Sequence, residues 1–148
     1  MEPAADVVES RASSTVSVAA WVLAALALGC DIAYVMVIAQ QGNFSSGWPV
    51  VVFVAAYALS LSVAAIAGRR ASNHGVRSGF LSWASAGSIA TGLAGAFSLV
   101  FVPLLPAGVV LLLVTSRSER ERVSPLWAGV AAVVLVAGLI VANLLETQ

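Results

Sequence analysis

The chain has 148 residues, 60% hydrophobic and 9% charged, with seven basic and seven acidic side chains and no net charge. Soluble domains are about a quarter charged, so these few charges cannot cover a water-soluble globule, and low charge with high hydropathy is the reverse of disorder. One cysteine excludes an internal disulfide and a Cys-based zinc site, and the charge balance offers nucleic acid no basic footprint. The expected class is an all-α integral membrane protein.

Residues 1–15 form an acidic tail with Glu2, Asp6 and Glu9, unlike the basic start of a signal peptide. Val16 to Ala39 is apolar apart from Cys30 and Asp31 and predicts a first helix near 16–40. Leu28-Gly29-Cys30 loosely resembles a lipoprotein cleavage site, but the following Ile32 to Ala39 stays apolar where a mature lipoprotein would carry a polar tether, so no cleavage is expected. After a short polar connection, Gln41 to Gly47, the uncharged stretch Val50 to Ala67 predicts a second helix near 49–68, with Ser46 as cap and Pro49 in the first turn.

Ser78 to Ser116 carries no charge. As one helix it would be roughly 58 Å long at 1.5 Å per residue, nearly twice a hydrocarbon core of about 30 Å, so it must fold back. The turn is expected around Phe97, Ser98 and Pro103. Ser98 suits an N-cap, and Pro103 and Pro106 suit the opening of a new helix better than its middle. This predicts a third helix near 79–97 and a short fourth near 99–116; a re-entrant half-helix is the alternative. Val123 to Leu145 predicts a fifth near 124–145, with Ser124 as cap and Pro125 in its first turn, leaving 146–148 as a carboxyl tail.

The arginines choose between five crossings and four. Arg11, Arg69, Arg70, Arg77, Arg117, Arg120 and Arg122 are the only strong bases, since there is no lysine. Five crossings place all of them on one side; four divide them almost evenly. The positive-inside rule therefore predicts a single transmembrane domain over 16–145, five helices, amino end cytoplasmic and carboxyl end outside. Trp21, Trp83 and Trp127 then fall within the first turns of helices 1, 3 and 5 at the cytoplasmic face, and Trp48 at the outer start of helix 2, the depths that indole rings favour. The Ala/Val/Gly/Arg-rich, lysine-free composition resembles that of small multi-spanning proteins of GC-rich bacteria. The stretch from Phe97-Ser98 to Pro103-Leu104-Leu105-Pro106-Ala107-Gly108 is similar to a short turn-plus-helix that many of them carry. That resemblance brings no function with it; the expected location is the cell membrane.

Asp31 is the one ionisable group inside a predicted span. A carboxylate at mid-membrane costs about 2.5–3.5 kcal/mol on insertion scales. No Lys, Arg or His lies in a span to pair with it, so the neutral acid is the expected form. Tyr34 shares its face, and Tyr57 and Thr91 lie at comparable depth, so Asp31, Tyr34, Tyr57 and Thr91 are the candidate intramembrane polar site. Ala20, Ala24 and Ala27 on the same face allow a neighbouring helix to come close. Helix 3 repeats small residues, Ala84, Ser88, Gly92 and Ala96, flanked by Gly87, Thr91 and Gly95: a smooth face for packing against the chain's own helices, a partner subunit or another copy.

The remaining polar features have ordinary readings. Arg69, Arg70, His74 and Arg77 set topology and attract anionic lipid, the alternating charges at 117–122 form a solvated loop, and Cys30 is a small packing residue. The single histidine cannot assemble an imidazole metal site, and the sequence carries no paired carboxylates, triad, phosphate loop or metal-ligand spacing. No enzyme activity, metal or cofactor is expected. Two functions remain: a non-enzymatic accessory or structural membrane subunit acting through helix contacts along helix 3, or a small oligomeric transporter with Asp31 as its protonatable group. The second resembles small multidrug exporters in carrying one acid on helix 1 with aromatics nearby. It departs from them in helix number and in its strong arginine bias, which disfavours an antiparallel dimer. The partners implied are the lipid bilayer and either another membrane protein or further copies of this chain.

Overall fold

A computed structural model of the chain describes residues 3–42, 48–94, 99–116 and 125–146. Five α-helices and no strand occur among them: α1 (Pro3–Gln40), α2 (Trp48–Arg70), α3 (His74–Ala94), α4 (Leu104–Ser116) and α5 (Pro125–Glu146). Three segments are long and apolar enough to cross a membrane, Ser14–Gln40, Trp48–Arg70 and Leu126–Leu145. α3 is long enough but rich in serine. α4, at 13 residues, is only about 20 Å long.

The helices differ from the predicted boundaries in instructive ways. α1 begins at Pro3, well before residue 16, because proline is tolerated in a first turn and no Gly or Pro interrupts the sequence from Ala4 to Ser14. α3 begins at His74 and not near 79. Asn73 caps it, its Oδ1 accepting from the amides of Gly75 at 2.9 Å and Val76 at 3.5 Å. The 69–77 segment is therefore mostly helical, with Arg69 and Arg70 closing α2, where the helix dipole favours cations, and His74 and Arg77 opening α3.

α3 is described as far as Ala94, and α4 starts at Leu104, five residues later than expected. Leu99 takes a left-handed conformation at φ 53°. Successive tight turns then run Val102 to Leu99, Leu104 to Phe101 and Leu105 to Val102. Pro103 falls within this turn and Pro106 in the first turn of α4, as their missing amide donors require. The expected caps Ser46, Ser98 and Ser124, the turn residue Phe97 and the 117–122 charges lie outside the described residues.

Packing is that of an antiparallel ring with one appended helix. α1 packs on α2 and α4, α3 packs on α2 and α4, and α5 lies against α2 and α3. The α1–α2 pair is antiparallel: Ser62 Oγ donates to the Ala24 carbonyl at 3.2 Å and Arg69 Nη1 to Ser17 Oγ at 3.3 Å. The ring core joins Leu23 and Ala24 of α1, Ala64 and Ala65 of α2, Leu81 and Ala84 of α3, and Leu111 of α4. Towards the far end Ala27 and Cys30 pack with Ala58, Phe101 and Leu104, so Cys30 is a buried packing residue. α5 is secured by Leu135 packing on Tyr57 and Leu61 and by Gly138, which receives the ring of Phe53.

The tryptophans divide. Trp48 opens α2 and Trp127 lies in the first turn of α5. Trp21 lies well inside α1, because that helix starts at Pro3, and is exposed, with the Arg69 guanidinium 5.0 Å from its ring centroid. Trp83 sits well inside α3, not in its first turn, and its Nε1 donates to Ser60 Oγ at 3.3 Å.

Candidate functional site

Tyr34, Tyr57 and Thr91, from three different helices, line one cavity of about 140 Å³ with Val54, Phe101 and Leu135 among its apolar walls. Every element of the bundle except α4 proper contributes, and α4 is represented by Phe101 in the turn before it. Tyr34 meets Phe101 with ring centroids 5.2 Å apart, and Tyr57 lies 6.1 Å from Phe53 and 6.0 Å from Trp83. The result is a small, largely apolar hollow with aromatic rings and a few hydroxyl-bearing side chains on its wall.

The hydroxyl protons of Tyr57 and Thr91 are already committed. Tyr57 Oη donates to the Ala131 carbonyl at 2.8 Å, a tie between α2 and α5. Thr91 Oγ1 donates to the Gly87 carbonyl one turn back at 2.7 Å, the local bond that hydroxyl side chains make inside helices. Both oxygens keep lone pairs, so Tyr57 and Thr91 present acceptors to the cavity.

Asp31 is not among the residues lining this cavity. The α1–α2 register that pairs Ser17 with Arg69 and Ala24 with Ser62, carried one step further, sets Asp31 level with Ala55. Its residue is partly exposed, yet Oδ1 is buried without a hydrogen-bond partner among the described residues. The hydrogen-bonded cluster expected around Asp31 is therefore not formed: Tyr57 and Thr91 turn to backbone carbonyls instead. A buried acceptor left in this state is costly, and it is the strongest chemical anomaly of the bundle.

The small-residue face of α3 is occupied from within. Ala84 and Ser88 are fully buried. A Cβ on Gly92 would lie 2.7 Å from the backbone nitrogen of Leu105, and one on Gly108 2.8 Å from the Ser85 carbonyl, so α3 and α4 touch almost backbone to backbone. Gly87 faces α2, where a Cβ would strike Leu61 and lie 3.1 Å from the Tyr57 hydroxyl. Ser88 Oγ is buried with no hydrogen-bond partner among the described residues, while Ala96 and Gly95 lie outside them. Among the described residues no three His, Cys, Asp or Glu side chains gather as metal ligands.

No family model matches this chain, and no curated protein or solved structure is similar enough to it to count as a match.

Proposed function

We propose that this is a five-span protein of the cell membrane, amino end and arginine-bearing connections cytoplasmic and carboxyl end outside, acting as a non-enzymatic accessory or structural subunit through lateral helix contacts. The observation that carries this reading is the outward face of α5. Val133, Val136, Ile140, Val141 and Leu144 are all exposed and apolar, while Ala131, Leu135 and Ala142 form the narrow buried stripe holding α5 to the ring. Because α3 uses its small-residue face inside the chain, a neighbour would meet an outer helix, and of the three long apolar spans the one on α5 is the least buried by its own chain.

A photo-reactive residue at Val136, with one at buried Ala84 as control, tests this in native membranes. A single membrane protein cross-linked from Val136 near one-to-one supports the subunit reading; cross-links to lipid alone overturn it. A reporter active only outside the cytoplasm, fused after Gln148, tests the topology. Activity is expected, and silence in a well-expressed fusion returns the count to four crossings.

Asp31 supports a second reading, a proton-linked transporter working as an oligomer. Intramembrane acids mark ion pathways, and the buried, unpartnered Oδ1 of Asp31 fits a group awaiting a proton or cation. In proteoliposomes, Asp31→Asn is expected to abolish proton flux without loss of folded protein; equal flux in both rejects this reading.

A further inference from the structure

A hollow lies where α2, α3 and the start of α5 meet, at the end of the bundle that carries Arg69, Arg70 and Arg77. It has a volume of about 490 Å³. Ser60 and Trp83 close its deep end, Val63, Phe80 and Trp127 form its walls, and Gly79 sets its width. A Cβ at Gly79 would stand 3.2 Å from Trp127 Nε1, so a larger residue there narrows the groove. The deep polar pair is self-satisfied, since Trp83 donates to Ser60, which leaves an apolar trough. Val63 also belongs to a second hollow of about 460 Å³, which continues along α2 to Arg70 and Ala71.

The two neighbouring arginines have different roles. Arg69 is engaged with Ser17 and Trp21 on the α1 side. Arg70 is exposed and makes no hydrogen bond or ion pair among the described residues. His74, equally exposed, immediately precedes Gly75, a residue of the groove's outer end. An apolar trough thus runs from the membrane-spanning region to a basic rim at the arginine-bearing end.

We propose that this groove holds an anionic phospholipid, one acyl chain lying along Val63, Phe80 and Trp127 and the phosphate meeting Arg70. The chemistry is complementary at both ends: hydrocarbon against aromatic and branched walls, and a headgroup charge against an exposed guanidinium able to bind phosphate through two N–H groups. Basic pockets between membrane helices on the cytoplasmic side take such headgroups. The site rests on the reading of the chain as a membrane protein.

The test uses the full chain reconstituted in nanodiscs of mixed phosphatidylglycerol and phosphatidylcholine, released into a neutral detergent, with retained lipid counted by native mass spectrometry. One retained phosphatidylglycerol is expected, preferred about fivefold over phosphatidylcholine, the selectivity one basic contact supplies. Arg70→Gln is expected to abolish the preference and Arg69→Gln to leave it. Val63→Trp, made at an exposed position so that folding is preserved, fills the groove and is expected to remove retained lipid of either kind; Gly79→Leu narrows it from the other wall. Equal retention of both lipids by the parent chain, or a preference that survives Arg70→Gln, overturns the headgroup site. Undiminished retention in both groove variants overturns the acyl-chain site. A chain recovered without detergent would instead refute the membrane reading itself, a result separable from these.

Discussion

α3 and α5 start at the same end of the bundle, lie against one another, and are built on opposite principles. α3 buries Gly79, Ser82, Ser85, Gly87, Ser88, Thr91 and Gly92, with Leu81 the one large apolar side chain among its buried residues. α5 buries only Ala131, Leu135 and Ala142 and turns valines, isoleucine and leucines outward. In a soluble protein the more apolar helix would be the inner one. Here the polar, small-residue helix is inner and the apolar one outer, the arrangement expected of helices in lipid, which is as apolar as leucine and where helices gain by close backbone approach and by hydrogen bonds hidden from the hydrocarbon. α3 contributes contact with three neighbours; α5 contributes a surface.

The largest effect expected from breaking this arrangement lies at the α3–α4 contact. Gly92→Ala puts a methyl group 2.7 Å from Leu105 backbone nitrogen, and backbone cannot rotate away as a side chain can. A loss at the upper end of the overpacking range, about 3 kcal/mol, is expected in unfolding by denaturing detergent. Gly129→Ala on α5, where nothing lies within 4 Å, is expected to be neutral or slightly stabilising through helix propensity. If the two substitutions cost the same, the division of labour between α3 and α5 is wrong.

The α2–α5 tie comes next. Tyr57→Phe removes the hydrogen bond to the Ala131 carbonyl while keeping the ring contacts with Phe53 and Trp83. That carbonyl sits inside α5, where a helical amide also bonds it, so no acceptor is orphaned. The expected loss is about 0.6 kcal/mol, the average for interhelical bonds in membranes. Ser62→Ala, which removes bonds to Ala24 at 3.2 Å and Ala58 at 3.4 Å, should cost about as much or less, since both are long. These losses are read from the same detergent-unfolding curves.

How much of this the sequence disclosed depended on which force decided each feature. Five helical segments were legible from uncharged runs and proline positions, because hydropathy and the missing amide of proline act locally. The start of α3 was not read correctly although its signal was present: Asn73 is a strong cap, but Gly75 and Gly79 make the following turns look like a loop. The close packing of α3 was legible in its four-residue spacing; its neighbour was not, since small residues specify proximity and not identity. The polar site failed differently. Depth matching brought Tyr34, Tyr57 and Thr91 to one cavity, yet it could not foresee that Thr91 bonds its own helix at Gly87 and Tyr57 reaches Ala131. Backbone carbonyls are present at every depth and compete with any side-chain partner. Asp31 lost its expected partners to that competition.

The smallest expected effect discriminates most between the two readings of α5. Val136→Ala removes two methyl groups from an exposed position. In the isolated chain those groups touch only detergent, which replaces the lost contacts, so the unfolding transition should not move by more than about 0.5 kcal/mol. The same change made in membranes is different if another helix lies against the face. Truncation then leaves a gap that lipid fills poorly, and association weakens while the fold does not. Val136→Ala should therefore lower the cross-linking yield from a photo-reactive residue at Val133 and leave the unfolding curve in place. A change in the curve would mean that α5 packs on its own chain along this face too. A change in neither leaves the outer surface of α5 as a lipid boundary, and the contrast with α3 becomes one of interior against boundary alone.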